Sequence, residues 1–269
     1  MGKIPPGPRK RMVDKMTETV NIVAKSISNA WFQLLHYLYW SGTHHQPDYN
    51  TSTKRAHATV HIKNVHDEQH VDAMPFGPQA LERYKSELTQ EYAEWYISLP
   101  ADDKRKFDYC YAKQLMMYGP EYFNTLRENI RYLREGSRRH VGVLWENDVH
   151  IRKFEDQPCW IAYKLEQVND NDLILYILYR SWDIYGGFPA NLPAIVYGIE
   201  KVLKEEGSPL KISELIATGW DAHYYSTDAD AVRAVVVANA ICGKCGKVMD
   251  KRQMILNGPT FKCAKCMGE

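Results

Sequence analysis

Four cysteines close the chain as two C-x-x-C pairs, Cys242 with Cys245 and Cys263 with Cys266, with seventeen residues between the pairs. Thiolates at this spacing are suited to a tetrahedral zinc ion, because the two residues inside each pair let the backbone turn and aim both sulfurs at one point. Gly243 and Gly246 supply the conformational freedom for those turns, and Asn257-Gly258 supplies a hairpin bend between them. Four sulfur ligands leave no open position for water or substrate, so the expected ion is a single structural Zn2+, not a catalytic one. Two disulfides are the rival pairing. The long chain and the lack of a secretory signal favour metal and a reducing, intracellular compartment, the cytoplasm or nucleus, or a host cell if the chain is viral.

A second chemistry is the gripping of a polyanion. Around the cysteines stand Lys244, Lys247, Lys251, Arg252, Lys262 and Lys265, and the opposite end begins with the basic stretch 2–11. In the segment 120–140, Arg127, Arg131, Arg134 and Arg138 recur at spacings of four, three and four, which on a helix would set four guanidinium forks in a row for successive phosphates. Tyr118, Tyr122 and Tyr132 stand nearby and could stack on bases. The plainer alternative is a solvated helix face, with Glu128 and Glu135 pairing locally with these arginines.

A third candidate is the histidine-rich segment with His44, His45, His57, His61, His66 and His70. The alternation of Ala58, Val60 and Ile62 with His57, Thr59 and His61 predicts a half-buried strand with the imidazoles on its polar face. No H-E-x-x-H pattern accompanies them. Cys110 and Cys159, in aromatic surroundings, read as buried thiols. No phosphate-cradling glycine loop and no nucleophile motif marks a catalytic site, so none is expected.

The elements that would carry these groups follow from periodicity. The chain has 269 residues, 45% hydrophobic and 25% charged, with a formal net charge of +1. That balance is globular, and it confines any nucleic-acid contact to patches. Val13, Met16, Val20, Val23, Ile27, Ala30, Leu34 and Tyr37 alternate by three and four, predicting one long amphipathic helix that buries its stripe in the core or in self-association. The apolar run 30–40 is too short to span a membrane. Aromatic-rich helices are expected over 79–140, with Leu81, Tyr84, Leu88, Tyr92 and Trp95 on one face, followed by a small sheet over 140–167. The run from Asn169 reads as a polar-capped helix ended by glycine, with a domain boundary at "GGFPANLP".

Residues 192–245 present a helix ending "VLKEEG", an extended "SPLKI", a brief helix "SELIATG" and the helix "ADAVRAVVVANA". This order resembles a winged helix-turn-helix, and its junction with a four-cysteine ribbon is similar to the layout of the α subunit of general transcription factor E. Residues 1–185 carry no such resemblance. The last helix departs from DNA readers: residues 191–241 hold four Lys/Arg against seven Asp/Glu, and that helix has only Arg233 as a cation.

The resulting expectation is an α+β, mostly helical chain. It would have a basic end and long helix at 1–40, a polar segment at 41–78, an aromatic helical domain at 79–185, a winged-helix-like domain at 190–241 and a zinc ribbon at 242–269. The function it implies is a non-enzymatic adaptor or regulator in a transcription or replication complex. Such a protein would touch DNA or RNA through its basic patches, with low sequence specificity, and a protein partner through the winged-helix region. The alternatives are a nucleic-acid-processing enzyme using the ribbon as a clamp, and a zinc-stapled structural protein of a virus particle.

Overall fold

Eight strands share one mixed sheet in the computed structural model, which describes residues 18–47, 51–106, 109–151 and 157–267. They are β1 (Thr19–Ala24), β2 (Thr43–His45), β3 (Thr53–Ile62), β4 (Gly142–Val143), β5 (Trp160–Gln167), β6 (Asp172–Tyr179), β7 (Trp182–Asp183) and β8 (Lys211–Tyr225). The order is β1-β3-β8-β6-β5-β4, with β2 beside β3 and β7 beside β8. The pairs β1/β3, β6/β8 and β7/β8 are parallel and the others antiparallel.

One face of this sheet lies under α1 (Ile27–Ser41) and α7 (Gly187–Glu205). Alternate strand residues point into that layer: Ala58, Val60 and Ile62 from β3, and Leu173, Leu175, Ile177 and Tyr179 from β6. Trp31, Leu34, Leu35 and Leu38 meet them from α1, and Phe188, Leu192, Ile195 and Ile199 from α7. Each such fully buried side chain contributes about 1.5–3 kcal/mol of transfer free energy, which is why the sheet and not local propensity decides the fold.

Between β3 and β4 run α2 (Pro78–Ser86), α3 (Gln90–Ser98), α4 (Tyr111–Met116) and α5 (Thr125–Arg131); α6 (Asn147–His150) follows β4. Thr89 splits the expected single helix in two, because its hydroxyl accepts from the Tyr92 N–H and caps α3. The link between α2 and α3 approaches α7 at Gly198, where a Cβ would come 2.4 Å from the Leu88 carbonyl oxygen. After β8 come α8 (Ala229–Ala238), β9 (Asn239–Ile241), β10 (Val248–Asp250), β11 (Met254–Asn257), β12 (Thr260–Cys263) and α9 (Ala264–Met267). No helix among the described residues is long and apolar enough to cross a membrane.

Several expectations are corrected here. The chain is not mostly helical with a small sheet; its centre is the eight-stranded sheet. The run "LILYILY" is β6, its period-two burial hidden because both faces carry apolar residues. The winged-helix-like region does not exist as such: "KISELIATGWDAHYY" is the single strand β8, and "GGFPANLP" opens α7 instead of marking a boundary. Register shifts near Ser213 and between Gly219 and Ala222 interrupt the alternation of β8, and those bulges made it look like short pieces. Nor is there one long helix at the start. Val20 and Val23 belong to β1, Ser26 caps α1 by accepting from the Asn29 N–H, and Val13 and Met16 lie outside the described residues, as does the basic stretch 2–11. Self-association through such a helix therefore falls with it.

Candidate active site

At the ends of β5, β6 and β7, segments far apart in sequence converge. Cys159 sits half-exposed just before β5, and its carbonyl oxygen accepts from the backbone N–H of Arg180 across the sheet. The Arg180 guanidinium donates from Nε to the Pro158 carbonyl (2.9 Å) and from Nη2 to the Gln157 carbonyl (2.6 Å), fixing the loop that presents the thiol. The Tyr109 hydroxyl lies 4.0 Å from Cys159 Sγ and donates to it. Burial pushes the Cys159 thiol up, and Asp183 adds to that effect, while the Arg180 cation and the Tyr109 hydroxyl oppose it. Tyr109 itself is pushed up to about 12, chiefly by burial, and so keeps its proton for donation.

Asp183 closes the turn from β7 into α7. Its Oδ1 accepts from the N–H groups of Tyr185 (3.0 Å) and Gly186 (3.2 Å), and its Oδ2 from Gly187 (3.0 Å). Gly186 has no room for a side chain, since a Cβ would stand 2.9 Å from Asp183 Oδ2. From α2, the Tyr84 hydroxyl donates to Asn191 Oδ1 at 2.8 Å. Beneath them Trp182 is sandwiched between Tyr179, 4.6 Å away and nearly parallel, and Phe188 at 4.7 Å.

On the other side stands His223 of β8, buried, with Nδ1 3.7 Å from Asp221 Oδ1 and 3.1 Å from the Asp221 carbonyl oxygen. Burial opposes its charge, but the Asp221 carboxylate outweighs burial and raises the imidazole above its ordinary value; Asp183 adds a smaller push in the same direction. The buried Tyr179 hydroxyl, Trp182 Nε1 and His223 Nε2 have no hydrogen-bond partner among the described residues. Three unpartnered polar atoms close to one carboxylate and one thiol are what a polar ligand would satisfy.

A sequence profile of the family described as "Thymidylate synthase" matches residues 17–241. The chain belongs to the thymidylate synthase family. A protein of Methanosarcina acetivorans named "Putative thymidylate synthase" is 28% identical over 229 residues, 84% of this chain and 98% of the relative. A similarly named protein of Methanosarcina mazei is 28% identical over 219 residues, 80% of this chain and 94% of the relative. A "Thymidylate synthase" of Staphylococcus haemolyticus is 28% identical over 121 residues, 44% of this chain and 37% of the relative.

These findings overturn the resemblance to general transcription factor E, and with it the adaptor, nucleic-acid-processing and virus-structural readings. No partner DNA, RNA or winged-helix-bound protein is supported. The arginine row fails physically as well. Helix α5 ends at Arg131, so Arg134 and Arg138 lie beyond it; Arg127 pairs with Glu205 and Glu206, and Arg131 with Glu206 and Glu128. In the ribbon, Lys251 Nζ donates to the Val237 carbonyl and Arg252 pairs with Asp250, while Lys244, Lys247, Lys262 and Lys265 stand next to or within two residues of the cysteines in sequence. The histidines form no site together. His57 and His61 line the outer face of β3 as expected, with His61 bonded to Glu214, His66 to Glu200 and His70 to the Phe76 carbonyl.

The structure does bring Cys242, Cys245, Cys263 and Cys266 together, with one sulfur from each within 4.8 Å of the others. The sequence reading missed Cys159, Arg180, Asp183, Asn191 and His223. One signal was available. Of the six cysteines, four are committed to the C-x-x-C pairs, which leaves Cys110 and Cys159 as candidates, and the structure separates these two by exposure, Cys110 buried and Cys159 half-buried.

Proposed function

We propose that this chain makes thymidylate by adding a one-carbon unit to C5 of a deoxyuridine nucleotide, with Cys159 as the nucleophile. Family membership over 17–241 supports the reaction class, and the placement of Cys159 beside Arg180 and Asp183 carries the assignment of the thiol. The uracil ring is an unsaturated carbonyl compound whose C5 is a poor nucleophile. Addition of the Cys159 thiolate to C6 pushes the ring electrons onto C5 and O4, so that C5 can attack an electrophilic carbon. Loss of the C5 hydrogen as a proton to solvent and expulsion of the thiolate then restore the ring and the enzyme. Arg180 and the Tyr109 hydroxyl stabilise the sulfur as an anion, and Asn191, oriented by Tyr84, offers its amide N–H groups to a ring carbonyl.

His223 Nε2 is left without a partner, and in the protonated imidazole it would donate to an oxygen of the nucleotide. The family implies a folate as the one-carbon source. The half-exposed turn of Asp183, Tyr185 and Gly187 fits such a flat, N–H-bearing ring, because the carboxylate keeps lone pairs beyond the three backbone bonds it accepts. A reduced folate bound here would supply both the carbon and, as hydride, the two electrons that take it to methyl; the residues named here bind, orient and hold the thiolate.

The sheet's outer face bears on assembly. Ala162, Tyr176, Leu178 and Ile216 form a largely apolar surface there, bordered by Lys164 and Thr218, and Trp220 is 53% exposed beside a depression of 370 Å³ that Arg180 also lines. A second copy of the chain covering this face accounts for so much unburied apolar surface, and dimers are typical of the family. The test of the reaction is mass-spectrometric detection of thymidylate from deoxyuridylate and a one-carbon-loaded reduced folate. Product with wild type and none with Cys159→Ala, at unchanged circular dichroism, is the expected result. Undiminished product from Cys159→Ala removes the assignment.

A further inference from the structure

The family match stops at residue 241, and the four clustered cysteines begin at Cys242, so the ribbon is an addition that the thymidylate synthase fold does not explain. We propose that Cys242, Cys245, Cys263 and Cys266 bind one zinc ion, and that this ion fastens the ribbon to the start of α1 as a clamp on the enzyme core. Four sulfurs about 2.3 Å from a central ion lie about 3.8 Å apart at the corners of a tetrahedron. Cys245 Sγ and Cys263 Sγ are 3.8 Å apart, and all four sulfurs lie within 4.8 Å of one another. They form one group instead of two bonded pairs.

The surrounding backbone is arranged for thiolates. The Cys263 N–H points at Cys242 Sγ from 3.4 Å. The Cys242 N–H donates to the Lys247 carbonyl, and the Gly246 N–H to the Cys242 carbonyl at 2.8 Å, closing the first turn. Gly246 has φ +82, a conformation that turn requires and an L side chain resists. On the other limb, Gly243 N–H donates to the Phe261 carbonyl and brings β12 against the first pair.

A zinc held by four thiolates carries a net charge of −2, and the ribbon's lysines now have a use other than nucleic acid. Lys244, Lys247, Lys262 and Lys265 stand within a few residues of the sulfurs. Lys25, from the turn between β1 and α1, lays its stem against Gly246 and donates to the Lys244 carbonyl at 2.6 Å.

That last contact is one of several seams to the core. Asn29 Nδ2 donates to the Gly246 carbonyl at 2.7 Å in a buried position, and the Val248 N–H to Glu68 Oε2 at 3.3 Å. Both Gly246 and Val248 take their positions from the first cysteine turn, so the ion that sets the turn also sets the seam. Without the ion, the small hairpin of β11 and β12, with Ile255 and Leu256 exposed, has almost no apolar core of its own.

The test uses the full-length wild-type chain. Elemental analysis should return one zinc per chain. Titration with an organomercurial in the presence of a zinc-sensitive dye should release that zinc as the four thiols react. Cobalt exchanged for zinc should give the intense thiolate-to-metal absorption of a tetrahedral sulfur site. Cys245→Ser and Cys263→Ser should lose the ion, while Cys159→Ala keeps it, which separates this proposal from the assignment of the nucleophile. Chelation should open 241–267 to protease ahead of the core. A native protein with two disulfides, one with four freely reactive thiols and no metal, or one holding a coloured iron centre would each overturn the assignment.

Discussion

Two cysteine neighbourhoods divide the molecule. In the ribbon, four thiols fall within one short segment, held by local turns, and their companions are the adjacent lysines. At the end of β6 a single thiol, Cys159, draws its companions Tyr109, Arg180 and Asp183 from separate stretches of the chain. The first arrangement suits the proposed metal, which would saturate its sulfurs and shut out chemistry. The second leaves one sulfur between an opposing cation and carboxylate, where small changes in surroundings change its reactivity. In this chain the two roles differ in surroundings: the ribbon thiols face one another, while Cys159 faces a cation, a hydroxyl and a carboxylate.

The sharpest way to break this comparison is to exchange the consequences of losing each kind of thiol. Cys159→Ala should lower turnover by about 10⁴-fold or more, with Tm and metal content unchanged, as removing a nucleophile does when the rest of the site survives. Cys263→Ser should do the reverse, abolishing the bound zinc and ribbon protection while turnover persists. If both variants lose zinc and turnover alike, the two neighbourhoods form one unit and the division fails.

The outer face of the sheet gives the next effect. Ile216→Glu would replace apolar contact by a charge in the surface shared with Tyr176, Leu178 and the Lys164 side chain, and should weaken packing of a second copy that covers it. The mass by light scattering should then fall from dimer to monomer at micromolar concentration. A monomeric wild type would end that reading without touching the nucleophile.

The contrast also explains what could be read from the sequence. The ribbon cysteines and their hairpin were legible because spacing alone encodes them. Helix α1 was legible in part: Ile27, Ala30 and Leu34 are its buried stripe, but the same three-four rhythm ran backward through Val20 and Val23 into what is a strand. Strand β3 kept its alternation because one face is polar. Strand β6 lost it because both faces are apolar, and β8 lost it to bulges. Misreading those two central strands concealed the sheet. With the sheet concealed, nothing could bring Arg180, Asp183 and His223 to Cys159.

A smaller effect sharpens the polar side of the site. His223 is raised by Asp221, so its share of stability is complete below the ordinary imidazole value of 6.5 and is lost as pH rises through the raised value. Burial opposes ionisation of Asp221, but His223 and Arg55 together lower it, so its share is present above the ordinary 3.8 and lost as pH falls through the lowered value. Asp221→Asn should therefore cost about 1–2 kcal/mol in urea unfolding between these limits, with the difference narrowing at higher pH. A difference that grows steadily with pH would contradict the assignment of the charge to His223.

The smallest effect concerns the arginines on α5, which separate a polyanion grip from an internal tie. Glu206, at the end of α7, is held below the ordinary carboxylate value of 4.5, first by its bond to Arg131 and, against a small opposing burial, also by Arg127. A carboxylate so depressed adds stability above its ordinary value and loses it as pH falls through the lowered one. Arg127→Gln frees Glu205 and Glu206 from one cation each, so a slight lowering of Tm at neutral pH should shrink as the carboxylates protonate in acid. The pairs are partly solvated, and salt should shrink the difference too. If these arginines instead gripped phosphates, the substitution would relieve repulsion among cations, Tm would not fall, and a salt-dependent affinity for mixed-sequence nucleic acid would drop. The expected combination is the opposite: a small acid-sensitive loss of Tm, and no nucleic-acid binding to lose.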